Sequence, residues 1–194
     1  MTKEIDALEA RLLAVPDDLS AHYRDFLRIP GTGLIRLLPR GKYEFLPKGG
    51  GAYYSFSRRT HDYGSGSDIE LGQNGFSVGF AGSDYGFFLI IGNVPIENVP
   101  TDEGAVPKGS TIGQDEWVRM WTYRSPKDRA TLATESRSFQ RNIQSQKGMT
   151  YLLRSVSIGR SDTLAAFRVE RTLSDGSVVI VWRVLASFQP PNIR

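Results

Sequence analysis

The chain has 194 residues, 40% of them hydrophobic and 23% charged, a size and balance that suit one folded domain with a real core and exclude disordered and fibrous classes. Lys plus Arg number 24 and Asp plus Glu 21, so the formal charge of +3 is too small for specific nucleic-acid binding to be expected. With no Cys, and only His22 and His61, there are no disulfides, thiolate nucleophiles, Cys-ligated metals or all-His sites, and no cofactor or metal is expected.

The opening Met-Thr-Lys-Glu-Ile-Asp lacks the apolar stretch of a signal peptide. No apolar run approaches the roughly 20 residues of a membrane span. A soluble protein is therefore expected, cytoplasmic by default and without membrane association.

Ile5, Leu8, Leu12 and Val15 recur at helical spacing behind a Thr2 cap, and Pro16 ends the pattern. Asp17 or Asp18 then starts a second short helix carrying Leu19, Tyr23, Phe26 and Leu27, stopped by Ile29-Pro30-Gly31. The pair reads as an αα-hairpin arm over residues 1–30.

Between residues 34 and 92 the pattern becomes short strand-like runs broken by glycine: 34–38, 52–58, 67–71, 75–81 and 86–91. Asn74-Gly75 between two of them is a hairpin signal. Residues 93–113, with Pro95, Pro100 and Pro107, form an aperiodic loop folded over the surface. Residues 114–123 fit either a strand or a helical turn. Ser125-Pro126 with Asp128 resembles a helix start, and Leu132, Ser136, Phe139 and Ile143 follow helical spacing towards a stop at Gly148.

The C-terminal third reads as an antiparallel meander. Residues 151–158, 163–173 and 177–188 alternate as strands, and a two-residue Asp175-Gly176 turn sets Val169 opposite Trp182 and Phe167 opposite Val184. The last strand carries apolar residues on both faces, as a covered central strand does. The fold class is α+β and β-rich: an antiparallel curved sheet or partial barrel, an N-terminal αα-hairpin and one peripheral helix, in a single domain over 1–194.

Candidate chemistry is sparse. Gly75-Phe76-Ser77-Val78-Gly79 spells a nucleophile elbow, but it lies in a strand–turn context and both His precede Ser77, so a hairpin accounts for it. The glycine runs 49–51 and 64–67 fit no phosphate-loop pattern. The densest polar constellation runs from Arg58 to Glu70. There His61 suits a general acid or base with Asp62, Asp68 or Glu70 as partner, and Arg59 and Tyr63 suit substrate contact. Tyr54 belongs to an aromatic cluster that can stack a sugar or base. The expected register also sets Arg168 opposite Arg183, an anion patch unless Glu170 neutralises it; Arg154 is a further candidate there.

The leading functional expectation is a non-catalytic ligand-binding or protein-interaction domain using residues 52–88. Its partner is an unidentified small molecule or protein, and homo-oligomerisation is compatible with the strand edges. The alternative is a metal-independent hydrolase or isomerase with His61 as general acid/base.

Overall fold

The computed structural model describes residues 2–43, 46, 51–61, 63–64, 66–80, 84–123 and 139–192, with the side chains of Thr2 and Lys3 excepted. Within them the chain is α+β and strand-rich, with two antiparallel sheets that do not close into a barrel.

Among the described residues the α-helices are α1 (Thr2–Leu13), α2 (Asp17–His22) and α3 (Gln114–Thr122). Pro16 occupies the cap position of α2, and a 3-10 turn at Phe26–Arg28 completes the second arm of the hairpin. Leu19, Tyr23 and Phe26 are buried, the face the helical spacing selects. No helix among the described residues is long and apolar enough to cross a membrane.

The strands are β1 (Thr32–Leu37), β2 (Tyr53–Tyr54), β3 (Ile69–Gly72), β4 (Gly75–Ser77), β5 (Asp84–Gly92), β6 (Asn142–Ile143), β7 (Thr150–Ser157), β8 (Ser161–Thr172) and β9 (Val178–Ser187). The large sheet runs β1-β9-β8-β7-β5 and the small one β2-β3-β4-β6. The first strand is thus paired with the last, Leu34 lying opposite Val181.

The large sheet is the middle of three layers. One face packs on Tyr23, Phe26, Ile96, Val99, Trp117 and Met120 from the helices and the 93–113 loop. The other packs on Tyr54, Phe56, Ile69, Leu71, Phe76 and Ile143 of the small-sheet layer. Burial on both faces explains the nearly unbroken apolar run Val178–Trp182 of β9.

Three details differ from the sequence expectation. Residues 114–122, which fitted either a strand or a helical turn, form the helix α3, and residues 139–143 of the helix expected from Ser125 are not helical. Residues 124–138 lie outside the described residues, while Gln140 bridges to Phe88 and β6 pairs with β4. Phe139 enters one core and Ile143 the other, which a single helical face cannot do.

The β3–β4 hairpin turns through Gln73-Asn74, with Gly72 opposite Gly75, one residue earlier than an Asn-Gly turn would place it. The β8–β9 loop has three residues, Ser174-Asp175-Gly176. It closes with the Leu173 N–H donating to the Ser177 carbonyl and with Gly176 at φ 87°, the left-handed position such loops require. A bulge at Glu170 adds a second one-residue offset. The two offsets sum to an even number, so each side chain keeps its expected face but not its partner: Phe167 faces Trp182, Arg168 faces Val181, and Arg183 faces Ala166.

Candidate functional site

Among the described residues of the Arg58-to-Glu70 constellation, Arg59 and His61 serve the edge of β1, while Asp68 faces the space between the sheets and Glu70 the outer face of the small sheet. β1 is an edge strand, with outward carbonyls that need partners. His61 Nε2 lies 3.0 Å from the Arg36 carbonyl, which can only accept, so Nε2 carries the proton. Arg59 donates to the Thr32 carbonyl at 3.1 Å, and its guanidinium sits 5.4 Å from the centre of the Trp182 ring. Arg59 takes φ 58°, an uncommon conformation for a side-chain-bearing residue. His61 and Arg59 thus hold two outer carbonyls of β1. Asp62 lies outside the described residues.

Asp68 is buried in the space between the sheets. Its Oδ2 accepts from the Phe56 N–H at 2.7 Å. Burial pushes its carboxyl up to about 6, against the pull of Ser155, the Phe56 N–H, Ser55 and Arg58. Tyr54 also points into that space, its ring edge-on to His61 at 5.0 Å and 5.8 Å from Trp182.

The three candidate arginines serve the backbone and neighbouring carboxylates. Arg168 donates to Gly148 and Val94 carbonyls and to Asn93, and pairs with Glu170 at 3.0 Å. Glu170 in turn accepts from the Tyr23 hydroxyl at 2.7 Å. Arg183 donates to the Val99 carbonyl, and burial lowers its pKa, opposed by nearby Glu97. Arg154, fully buried, pairs with Asp162 and donates to the carbonyls of Met120, Trp121 and Tyr123, closing the C-terminal end of α3.

A different place gathers open polar chemistry. The outer face of the small sheet bears a groove of about 990 Å³. Alternation along β3 and β4 turns Leu71 and Phe76 inwards and Glu70 and Ser77 outwards, and Glu70 lies opposite Ser77 in the register. Ser77 donates to Glu70 Oε2 at 2.8 Å, Arg40 to Oε1 at 2.9 Å and the Tyr53 hydroxyl to Oε1 at 3.3 Å. Three donors fix the carboxylate in one orientation.

Around this centre stand Gln73, Asn74, Gln140, Asn142 and Gln144, five side-chain amides, each with a donor and an acceptor. Beside Glu70, the Tyr53 ring lies 4.6 Å from Tyr63 and 5.3 Å from Phe80, and Tyr63 is 59% exposed. Burial, followed by the neighbouring Glu70 charge, raises the Tyr53 hydroxyl to about 12, so it remains a donor at neutral pH. Glu70 is the one carboxylate among the described residues lining the groove. No group of three or more Asp, Glu or His side chains placed to hold a metal occurs among the described residues.

Sequence reasoning placed Tyr63 at a site and offered Glu70 as a partner of His61, but passed over Arg40 and the amides. The alternation Ile69-Glu70-Leu71 marked Glu70 as outward-facing. The Gln140 to Gln144 contribution carries no local signal, because β6 reaches β4 from far along the chain. No family model, curated protein or solved structure matches the chain.

Proposed function

We propose that the protein is a non-catalytic ligand-binding domain whose site is the groove on the outer face of the small sheet, and that its ligand is neutral and rich in hydroxyl groups, as a saccharide is. The observation that carries this reading is the orientation of Glu70 by Arg40, Tyr53 and Ser77 among five side-chain amides, next to the Tyr53, Tyr63 and Phe80 rings. Hydroxyl groups need donors and acceptors in close alternation, which Asn and Gln supply, and apolar faces of sugar rings rest on exposed aromatics.

Charge favours a neutral ligand. Arg40 is paired to Glu70, so an anion would compete with a carboxylate already in place and a cation with a guanidinium. Hydrolysis of a glycosidic bond calls on two carboxylates flanking it, and this groove offers Glu70 alone among its described lining. The Glu70 oxygens are occupied by three donors, an arrangement suited to holding an orientation rather than to moving a proton. The Nε2 proton of His61, the shuttle of the enzymatic alternative, is committed to the edge of β1.

The test is a titration of isotopically labelled protein with a panel of neutral oligosaccharides, read by amide chemical shifts. Shifts are expected to gather on residues 70–77 and 140–144. Asn142→Ala and Tyr63→Ala, both outside the core, should each weaken binding by about tenfold, one lost anchor's worth. Absence of shifts across the panel, or shifts that both variants leave intact, would refute the reading.

A further inference from the structure

Glycine inside a β-strand calls for a reason, because it gives up side-chain packing and costs more backbone freedom there. Within the described strands it stands at Gly33, Gly72, Gly75, Gly86 and Gly92. All but Gly72 answer to the fold. A Cβ at Gly33 would lie 2.5 Å from the Trp182 ring, and one at Gly86 would collide with the Arg154 carbonyl oxygen. Gly75 takes φ 124° with the Ile143 carbonyl oxygen where its Cβ would be, and Gly92 takes φ 101°.

Gly72 has no left-handed backbone angle. Among the described residues a Cβ there would meet only the Gly75 carbonyl oxygen, at an ordinary 3.6 Å. The hairpin does not ask for it either. With neither Gln73 nor Asn74 at positive φ, the turn favours glycine at its last position, which is Gly75, and Asp, Asn or Ser at its first. Nothing in the fold as described thus calls for glycine at 72.

A side chain at 72 would have a place to go, and that place is the groove. Gly72 follows Glu70 by two along β3, so it shares the outer face, and it lines the groove with Gly75 opposite it in register. On one side stands Arg40, whose N–H donates to the Leu71 carbonyl at 2.9 Å along the edge of β3 that faces β2. On the other stand Asn142, opposite Ser77, and Gln144. From Arg40 across β3 and β4 to β6 is three strand spacings, about 14 Å. Gly72 and Gly75 make a bare strip of main chain between these walls.

Glycine within a strand often marks a place where a ligand comes close to the backbone. A single sugar ring covers about one strand spacing and meets one wall, whereas an extended chain of about three rings reaches from one wall to the other. We propose that Gly72 is a ligand-contacting, specificity-determining position: the groove takes an extended saccharide chain, and the chain crosses β3 and β4 over the bare backbone of Gly72, from Arg40 to Asn142 and Gln144. The proposal rests on the reading of the groove as a saccharide site and adds the length and path of the ligand.

The experiment is calorimetric titration of the full chain with linear gluco-, manno- and N-acetylated chito-oligosaccharides of one to five units. It is run on wild type, Gly72→Ala and Gly72→Val, with a melting curve of each. Wild-type affinity is expected to rise at least about tenfold from one unit to three and to level off beyond. Gly72→Ala should weaken binding of the trisaccharide about threefold and Gly72→Val at least about tenfold, as overfilling a fitted space does. Both variants should melt between the wild-type temperature and about 3 °C above it, because Ala and Val restrict the unfolded chain and suit a strand better than glycine. Binding lost while the fold holds or firms is a result that a merely structural glycine does not give. Affinity unchanged in both variants, a single sugar bound as tightly as the trisaccharide, or variants melting well below wild type would each overturn the proposal and leave the saccharide reading in place. Silence of the wild type towards every member of the series overturns both together.

Discussion

The two faces of the large sheet each bury charge, and they treat it oppositely. On the helix-facing side, Arg154 is 0% exposed, with its charge paired to Asp162 and its remaining donors spent on three carbonyls at the end of α3. On the side that meets the small sheet, Asp68 is as deeply buried, but it is met by the Phe56 N–H and by serine hydroxyls, and burial outweighs them and raises its pKa. A buried charge whose every lone pair or proton is answered has become part of the scaffold. One met only by neutral donors raises the free energy of the fold.

The largest effect should come from breaking the answered charge. Asp162→Ala leaves the Arg154 guanidinium without its anion inside the core and should cost about 3 to 5 kcal/mol, measured by urea unfolding. The double change Arg154→Met with Asp162→Leu should cost far less than Asp162→Ala, since no lone charge remains buried. If both cost the same, the pair is not what closes α3.

The second effect runs the other way. Asp68→Asn should stabilise the protein at pH 7.5 by up to about 2 to 3 kcal/mol, since Asn keeps an oxygen for the Phe56 N–H and carries no charge. The sign follows from the raised pKa. The native carboxyl, at about 6, holds its proton longer than the unfolded one at 3.8, so stability falls as pH rises from 3.8 to 6 and stays low above. The advantage of Asn should therefore fade towards pH 4. A variant less stable than wild type at pH 7.5 would remove the contrast between the two faces.

Asp175 in the β8–β9 loop lies between these extremes. Burial pushes its carboxyl up, but the Ser177 hydroxyl and N–H, the Tyr43 hydroxyl and Arg36 together hold it well below the usual carboxylate range. Its contribution is present above the unfolded value and lost as pH falls through the native one. Asp175→Asn should cost about 1 kcal/mol at pH 7 and progressively less in acid, read from melting curves at several pH values.

The smallest effect on stability belongs to the edge of β1. His61→Ala and Arg59→Ala should each change unfolding free energy by less than about 1 kcal/mol, yet raise the dimer and higher fractions in light scattering, because they bare carbonyls of an edge strand. A large loss of stability with no self-association would assign both residues to the core instead.

Much of this fold was legible because it rests on short-range pattern. The strands of the C-terminal meander were placed within about two residues, the scatter inherent in such boundaries. Their apolar faces also survived, since the loop and bulge offsets cancel in parity. What failed was decided at long range or by a single backbone angle. Phe139 and Ile143 have helical spacing yet serve different cores. The three-residue loop depends on Gly176 adopting a left-handed conformation that the dipeptide Asp-Gly equally allows in two-residue turns.

The candidate site was less legible for a related reason. His61 and Arg59 drew attention through their chemistry, but a hydrogen bond from a side chain to a distant edge carbonyl leaves no trace in local sequence. Tyr53 and Tyr54 are neighbours of the same type. Alternation sends Tyr54 into the core and Tyr53 to the outer face, and only the pairing of β2 with β3 says which.

The pairing of β1 with β9 also bears on how the chain acquires its shape. Residues 32–37 leave the ribosome early and must wait for residues 178–187 before their hydrogen bonds can form. A contact that spans nearly the whole sequence carries a high loop-closure cost and slows folding. Until then β1 is an apolar strand without its β9 partner, and the hairpin of α1 and α2 stands just ahead of it. Synthesis of β9 is thus the event that lets the large sheet close.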